Sequence, residues 1–349
     1  MVFVGLSAWS TGQYAITPGD ATSVTPLVSV RGVSTNPHPD TIMLTDVYLT
    51  ALNGWQWITM HFSSHVQFLP GSALVPPGVS TSELNNQGYL EMRDAKLAAE
   101  VEAFRTLGWS VGATPAGTIV NGVVTHSPAA KAGLVVGDNV VGFDHRPVRT
   151  SCQLVRDVHL IAPGTAVRLL VRRVSFSSAG VLSWRRATEI TLTTGRPPNG
   201  AAVSGCAGVS GPDHSWLGVS LEDNFRYALP ARVSIDTASI GGPSAGLAMT
   251  LALINDLSHG SLTGHHIIAA TGTMSVGGAV GDVGGVAEKT VAVQRAGARY
   301  FIVPQVEVAT ARTAASPGLT VLGVTTLHQA LADLRAIGGV VPRPLSPVP

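Results

Sequence analysis

Gly241-Gly242-Pro243-Ser244-Ala245-Gly246, continued by Leu247–Leu257 (LAMTLALINDL), is the stretch on which the reading of this chain turns. From Ser244 to Leu257 the run is apolar nearly all round until its last turn, and a helix without a polar face belongs in the middle of a domain. The glycines permit a tight turn ahead of it, and Pro243 limits that turn's freedom. The first N–H groups of a helix point at whatever precedes them, so Ser244 has free donors and the positive end of a dipole beside its hydroxyl. That suits attack on a carbonyl, whose developing oxyanion needs such donors; Gly242, Pro243 and Ala245 form the loop around it. The competing reading is that Ser244 only caps the helix, as serine at a helix start usually does.

A serine hydroxyl is a weak nucleophile and needs a base. Gly281–Thr290 reads GDVGGVAEKT and places Lys289 forty-five residues after Ser244. A lysine in water titrates near ~10.4 and cannot serve, but apolar burial lowers that value. Val283, Val286, Ala287, Val291 and Ala292 supply apolar surroundings. Glu288 is adjacent, yet neighbouring helix positions do not face each other, so it need not pair with Lys289. Without the serine upstream, the lysine would read as a solvated surface residue.

Outward from this core the chain divides into three blocks. Residues 215–338 have α/β character. Residues 1–112 mix strand-like runs, Ile42–Thr50 and Trp55–Phe62 about an Asn53-Gly54 turn, with one helix. Pro76-Pro77-Gly78 reads as a loop, and Ser80 with Glu83 as a capping box for that helix. Leu97, Val101 and Phe104 lie on it at helical spacing, and it stops near Gly108. Residues 113–194 place short strands (Thr118–Val124, Asn139–Phe143, Ala166–Val171, Glu189–Leu192) around one amphipathic helix, Ser151–Ala162. Leu154, Val155, Val158 and Ile161 share a face of it. Residues 195–214 read as a linker, and residues 339–349, with four prolines in the last eight, as an unstructured tail.

The bulk numbers agree with a folded protein of two or three domains: 349 residues, 45% hydrophobic, 12% charged, mean hydropathy +0.30. A net charge of +1, with no Lys/Arg run longer than two, excludes an extended phosphate-tracking surface, so nucleic acid is not an expected partner. Cys152 and Cys206 are too few for a disulfide framework and lack metal-ligand spacing. They read as a buried helical cysteine and a linker cysteine, with pairing the alternative in an oxidising compartment. His265-His266 invites a metal, but adjacent strand residues point to opposite faces, so no metal or other cofactor is expected. Met1–Trp9 (MVFVGLSAW) is apolar but short, with nothing basic before it, and suggests the end of a longer anchor.

ALPARVSID, GGPSAG, the apolar helix, ATGTMSVGGAVGDVGGVAEK and GARYFIVPQ, spanning Ala228–Gln305, together resemble the Lon peptidase family. The resemblance implies Ser244 as nucleophile, Lys289 as its base, and Thr271 as the hydroxyl that hydrogen-bonds the lysine. One departure stands out. The family commonly has an acidic residue three positions before the nucleophile, where this chain has Gly241; Asp236 lies further upstream. Gly242–Gly246 also satisfies the G-x-S-x-G elbow of α/β-hydrolases, with His328 and Asp282 or Asp256 completing an esterase triad. Only 105 residues follow Ser244, which leaves little room for the sheet that fold needs. No G-x-x-x-x-G-K-[ST] stretch occurs, so nothing here supports ATP dependence.

Asn121–Val148, with SPAAKAGL, Gly137-Asp138 and Pro147-Val148, resembles the PDZ domains of bacterial proteases. Such domains take an extended peptide as an added strand. The resemblance puts the groove between a strand near Thr118–Val120 and the helix bearing Cys152 and Val155, with Ile119, Val120 and Val155 on the peptide; a module that only spaces other domains is the plainer alternative. The order PDZ then Lon-type block, with a PPG…S…E…N…M pattern from Pro76 to Met92, resembles a bacterial family of ATP-independent, membrane-anchored proteases. That implies membrane association through an N-terminal anchor and a location on the extracytoplasmic face of the cell membrane. Lon-type domains often form rings, which extends the expectation to a homo-oligomer. The expected architecture is α+β and multidomain: a mixed N-terminal block, a β-rich PDZ-like domain and an α/β Lon-type proteolytic domain. The expected activity is endopeptidase action on protein substrates, with a non-catalytic peptide-binding adaptor or an esterase as alternatives.

Overall fold

The structure is a computed structural model that describes residues 7, 9–35, 41–63, 65–74, 81–176, 182–198, 206, 214–237, 240–258 and 261–341. It divides into two compact units, one made of Met1–Val111 with Leu229–Pro349 and the other of Gly112–Ala228. The first unit opens with β1 (Ser10–Ser23), β2 (Val28–Arg31), β3 (Ile42–Asn53), α1 (Gly54–Met60), β4 (Gln67–Pro70), α2 (Gly71–Leu74) and α3 (Thr81–Thr106). The second holds β5 (Gly112–Val123), α4 (Pro128–Lys131), β6 (Asn139–Phe143), β7 (Arg146–Pro147), α5 (Ser151–His159), β8 (Ala166–Arg172), β9 (Val174–Phe176), β10 (Leu182–Trp184), β11 (Thr188–Thr193) and β12 (Val219–Ala228). The first unit then resumes with β13 (Arg232–Ile235), α6 (Gly246–Asp256), β14 (Ile268–Ala270), β15 (Thr273–Met274), β16 (Val280–Gly281) and α7 (Val286–Arg295). It ends with β17 (Tyr300–Pro304), α8 (Val308–Ala314), β18 (Thr320–Val324) and α9 (Leu327–Ala336).

The sheet of the first unit runs β18-β17-β14-β3-β1-β4. Its β14, β17 and β18 are parallel to one another and β14 is parallel to β3, while β1 pairs antiparallel with β3 and β4. Period-2 alternation sends Ile268, Ala270 and Ile302 into one core and Ala269, Phe301 and Val303 into another. Both faces of these strands are therefore covered, which is why IAA and YFIVP are unbroken apolar runs. Every residue of α6 is buried, with Leu247, Leu251 and Leu253 inaccessible to water.

Two sequence expectations change here. Trp55–Phe62 is not a strand: Gly54–Met60 is helical, because Asn53 and Gln56 form a reciprocal capping box. That local pairing outweighs the strand preference of the aromatic and β-branched residues. The block at 1–112 is also not a body of its own, since β1, β3 and β4 complete the sheet that carries β14, β17 and β18. The strand from Val219 likewise joins the second unit and not the block at 215–338.

In the second unit the order is β11-β8-β6-β5-β12, all antiparallel. Along β8, Val167, Leu169 and Val171 are buried and Arg168, Leu170 and Arg172 exposed, the mark of a sheet with one wet face. The molecule is thus α+β, with a β-rich module and an α/β region. Cys152 and Cys206 form a disulfide that closes a 54-residue separation, so they are not the two separate thiols first expected.

Met1–Trp9, apart from residues 7 and 9, lies outside the described residues, as do Pro76–Gly78, Ser80 and its capping box, most of 195–214 and the tail beyond residue 341. No helix among the described residues is long and apolar enough to cross a membrane; the longest, α3, carries charges throughout. The expectations of a membrane-anchored form, of membrane association and of an extracytoplasmic location at the cell membrane are withdrawn on that finding.

Candidate active site

Ser244 sits in a turn between β13 and α6, half-buried. It does not cap the helix: α6 opens at Gly246, Ala245 holds the cap position, and no side chain bonds the helix start. The turn is braced from behind, where the N–H of Gly242 donates to the Gly88 carbonyl of α3 at 2.8 Å. Gly242 has φ +87°, a conformation that a side chain resists. Of the expected oxyanion loop, Gly242 has therefore spent its donor and Pro243 has none. Among the described residues the N–H groups of Ser244 and Ala245 carry no hydrogen bond, and Ala245 is buried. Unpaired N–H groups ahead of a helix are donors that an oxyanion could use.

Behind the turn the chain folds back on itself. The Ser244 carbonyl accepts from the Gly272 N–H at 2.9 Å and from the Thr271 hydroxyl at 3.2 Å. Thr271 Oγ1 in turn accepts from Lys289 Nζ at 3.3 Å. The hydroxyl has one proton and spends it on Ser244, so its lone pair is left to hold the amine. Ser244, Thr271 and Lys289 are thus brought together, on a turn, a strand end and a helix. Ser244 Oγ makes no hydrogen bond among the described residues; in free enzymes such catalytic contacts are commonly loose until substrate binds.

Lys289 lies in the first turns of α7 and is 2% exposed. Gly285 at φ +67° caps that helix, and a Cβ there would stand 3.0 Å from Val47 Cγ1, so the glycine lets α7 sit close on β3. Burial pulls the Lys289 pKa from 10.5 down to about 8, against the opposing pull of Glu307 and Asp46. Neither carboxylate was legible in the sequence, since no local motif joins Asp46 or Glu307 to the GGVAEK run.

The remaining expected residues separate. His328 is exposed on α9 beside a cavity lined by Glu102, Thr326 and Arg335, and no hydrogen bond links it to Ser244, so the triad has no histidine in hand. In the second unit Ile119 and Val120 are buried in β5, which pairs with β6 on one edge and with β12 on the other. An incoming strand could not add to β5 without displacing β12, so the groove first drawn there is corrected. Of the two edge strands, β11 and β12, the second lies next to α5, where the Ser151 N–H donates to Asp223 Oδ1. Val155 of α5 is half-buried. The alternation of Leu217, Val219 and Leu221 was the signal for β12, masked by the Gly- and Pro-rich residues before it.

Residues 234–331 match the family described as Lon protease (S16) C-terminal proteolytic domain, and residues 78–178 match the PDZ domain family. A Lon-type proteolytic domain and a PDZ domain are both present. The PDZ match takes in all of α3, which belongs to the other unit, and stops before β11 and β12, which complete the sheet. Lon protease 1 of Herpetosiphon aurantiacus is 39% identical over 87 residues, 24% of this chain and 10% of that protein. A probable periplasmic serine endoprotease, DegP-like, of Pseudomonas fulva is 32% identical over 137 residues, 38% of this chain and 27% of its own length. The PDZ domain of the SdrC-like protein of Listeria monocytogenes matches 31% of this chain and 90% of its own at 17% identity and TM-score 0.23. The chain therefore spans a small part of the curated relatives it matches. The Lon-type domain supports a serine-protease-like assignment.

Proposed function

We propose that this protein is a serine endopeptidase in which Ser244 is the nucleophile, Lys289 its base and Thr271 the residue that orients the lysine. The observation that carries the reading is a buried lysine, lowered to about 8, tied through one hydroxyl to the serine's own peptide unit. Neutral Lys289 takes the Ser244 proton as Oγ bonds the carbonyl carbon, and the carbonyl electrons move onto oxygen, held by the Ser244 and Ala245 N–H groups. Collapse expels the amine, which takes the proton back from Lys289. Water then attacks the ester, Lys289 again receiving a proton, and collapse returns that proton to Ser244 Oγ. Substrate segments would dock as an added strand on the free edge of β12, beside Val155.

The second reading, a peptide-binding adaptor without catalysis, draws on the missing hydrogen bond between Ser244 Oγ and Lys289 Nζ and on Gly241. One assay separates them: cleavage of an unfolded protein by purified chain, with no nucleotide added. Loss of cleavage in both Ser244→Ala and Lys289→Ala is expected. Cleavage retained by either variant removes the dyad, and no cleavage by the wild type with intact peptide binding leaves the adaptor.

A further inference from the structure

Glu307 joins β17 to α8, and its two carboxylate oxygens are treated differently. Oε1 accepts the Val283 N–H at 2.7 Å. Oε2 is buried and has no hydrogen-bond partner among the described residues. Val283 belongs to the Asp282–Gly285 turn that leads into α7, and the Lys289 N–H bonds the Gly285 carbonyl at 2.9 Å, so this turn sets where the lysine starts. Glu307 is half-buried as a residue, but a buried oxygen left unpaired is costly and asks for an explanation.

We propose that Glu307 is a positioning residue for Lys289, fixing the Asp282–Gly285 turn with one oxygen and keeping the other as counter-charge for the lysine's ammonium form. This rests on the peptidase reading for its purpose, though not for its test. When the Ser244 proton moves to Lys289 Nζ, a full positive charge appears at a site shut off from water, which is expensive without a nearby anion. The groups around it are few. Asp46 faces it from β3, Thr271 supplies only a hydroxyl, and Glu288 is its neighbour on α7. On β1, Asp20 is engaged by the Tyr48 hydroxyl, and on α8 Arg312 donates to the Val321 carbonyl. Burial and the neighbouring Asp282 discourage charge on Glu307, while the Val283 N–H and Lys289 favour it. Burial thus makes the lysine a usable base, and Glu307 keeps its basicity from falling too far to capture the proton.

The chain has three lysines, Lys96, Lys131 and Lys289, so an NMR titration of lysine 13Cε resonances can follow Lys289 without any turnover. Glu307→Gln keeps an oxygen for Val283 but removes the charge, and should lower the Lys289 midpoint by about half a pH unit or more, leaving Lys96 and Lys131 in place. An unchanged Lys289 midpoint in a folded Glu307→Gln protein overturns the proposal. A second measurement leaves Glu307 itself unchanged: the Glu307 13Cδ resonance of the wild type should report the Lys289 titration, and lose that inflection in Lys289→Met. Its persistence in Lys289→Met, or its absence in the wild type, also overturns it. Failure of the dyad itself shows separately, as cleavage retained by Ser244→Ala.

Discussion

Asp138 and Lys289 are both shut away from water, at 0% and 2% exposure, and the two units treat their charges in opposite ways. Asp138 is satisfied on all sides: Arg173 grips it with Nε and Nη2 at 2.9 and 2.8 Å, and the Val135 N–H donates to it. The Lys289 amine has one hydrogen bond among the described residues, to a neutral hydroxyl. The first arrangement fixes a loop geometry, because a bidentate pair holds both partners in one orientation. The second leaves a group that loses its proton easily, which is what a base requires. Burial of a charge is thus ambiguous by itself; what surrounds it decides whether it locks structure or does chemistry.

The comparison is broken most readily at Lys289. Lys289→Met should lower the cleavage rate about 10²–10⁴-fold while raising the melting temperature at pH 7. The sign follows from the lowered folded-state value. Below about 8 the lysine is charged in both states and the folded state bears the cost of burying it, on the order of 3 kcal/mol. Between about 8 and 10.5 the unfolded chain binds the extra proton, so wild-type stability rises with pH across that window and the Lys289→Met protein's does not. Thermal melts of both proteins from pH 6 to pH 10.5 check it; a melting temperature that falls in Lys289→Met at pH 7 would place the lysine among the structural pairs.

At Asp138 the opposite is expected. Asp138→Ala leaves the Val135 N–H without its acceptor and releases Arg173, whose side chain is 43% exposed and rehydrates, so it should cost about 1–3 kcal/mol in urea unfolding, without a shift in the pH profile of cleavage. Reduction of Cys152–Cys206 should cost the same unit up to roughly 4 kcal/mol by the loop-entropy argument, and melting with and without reductant reads it. The smallest effect is at the open strand edge. Ser220→Pro or Val155→Asp should weaken binding of an unfolded-protein segment several-fold in fluorescence anisotropy, and should leave cleavage of a short peptide unchanged.

Much of this was legible in the residues, for physical reasons that differ by element. The apolar run Leu247–Leu257 was readable as a central helix from hydrophobicity alone, whereas the coverage of Ile268–Ala270 and Tyr300–Pro304 on both faces emerged in the structure. Gly242 announced the turn at which Ser244 is presented, whereas the left-handed Gly285 ahead of Lys289 emerged only in the structure. What escaped was one local contact and several long-range ones. The Asn53–Gln56 capping box reversed the strand expected at Trp55–Phe62, since two side-chain bonds outweigh a weak propensity. The edge position of β12 and the enclosure of β5 depend on pairing across about a hundred residues, which no window of sequence contains. The same holds for Asp46 and Glu307, which reach Lys289 only through the packing of α7 on the sheet.

The most direct measurement is the pH dependence of kcat/KM for cleavage by the wild type, run beside Lys289→Ala. A lysine base with this burial should give a rise through a single ionisation near 8, with the rate lost in the variant. A rise centred near the ordinary histidine value of ~6.5, with cleavage retained by Lys289→Ala, would contradict the dyad and return the chemistry to a histidine.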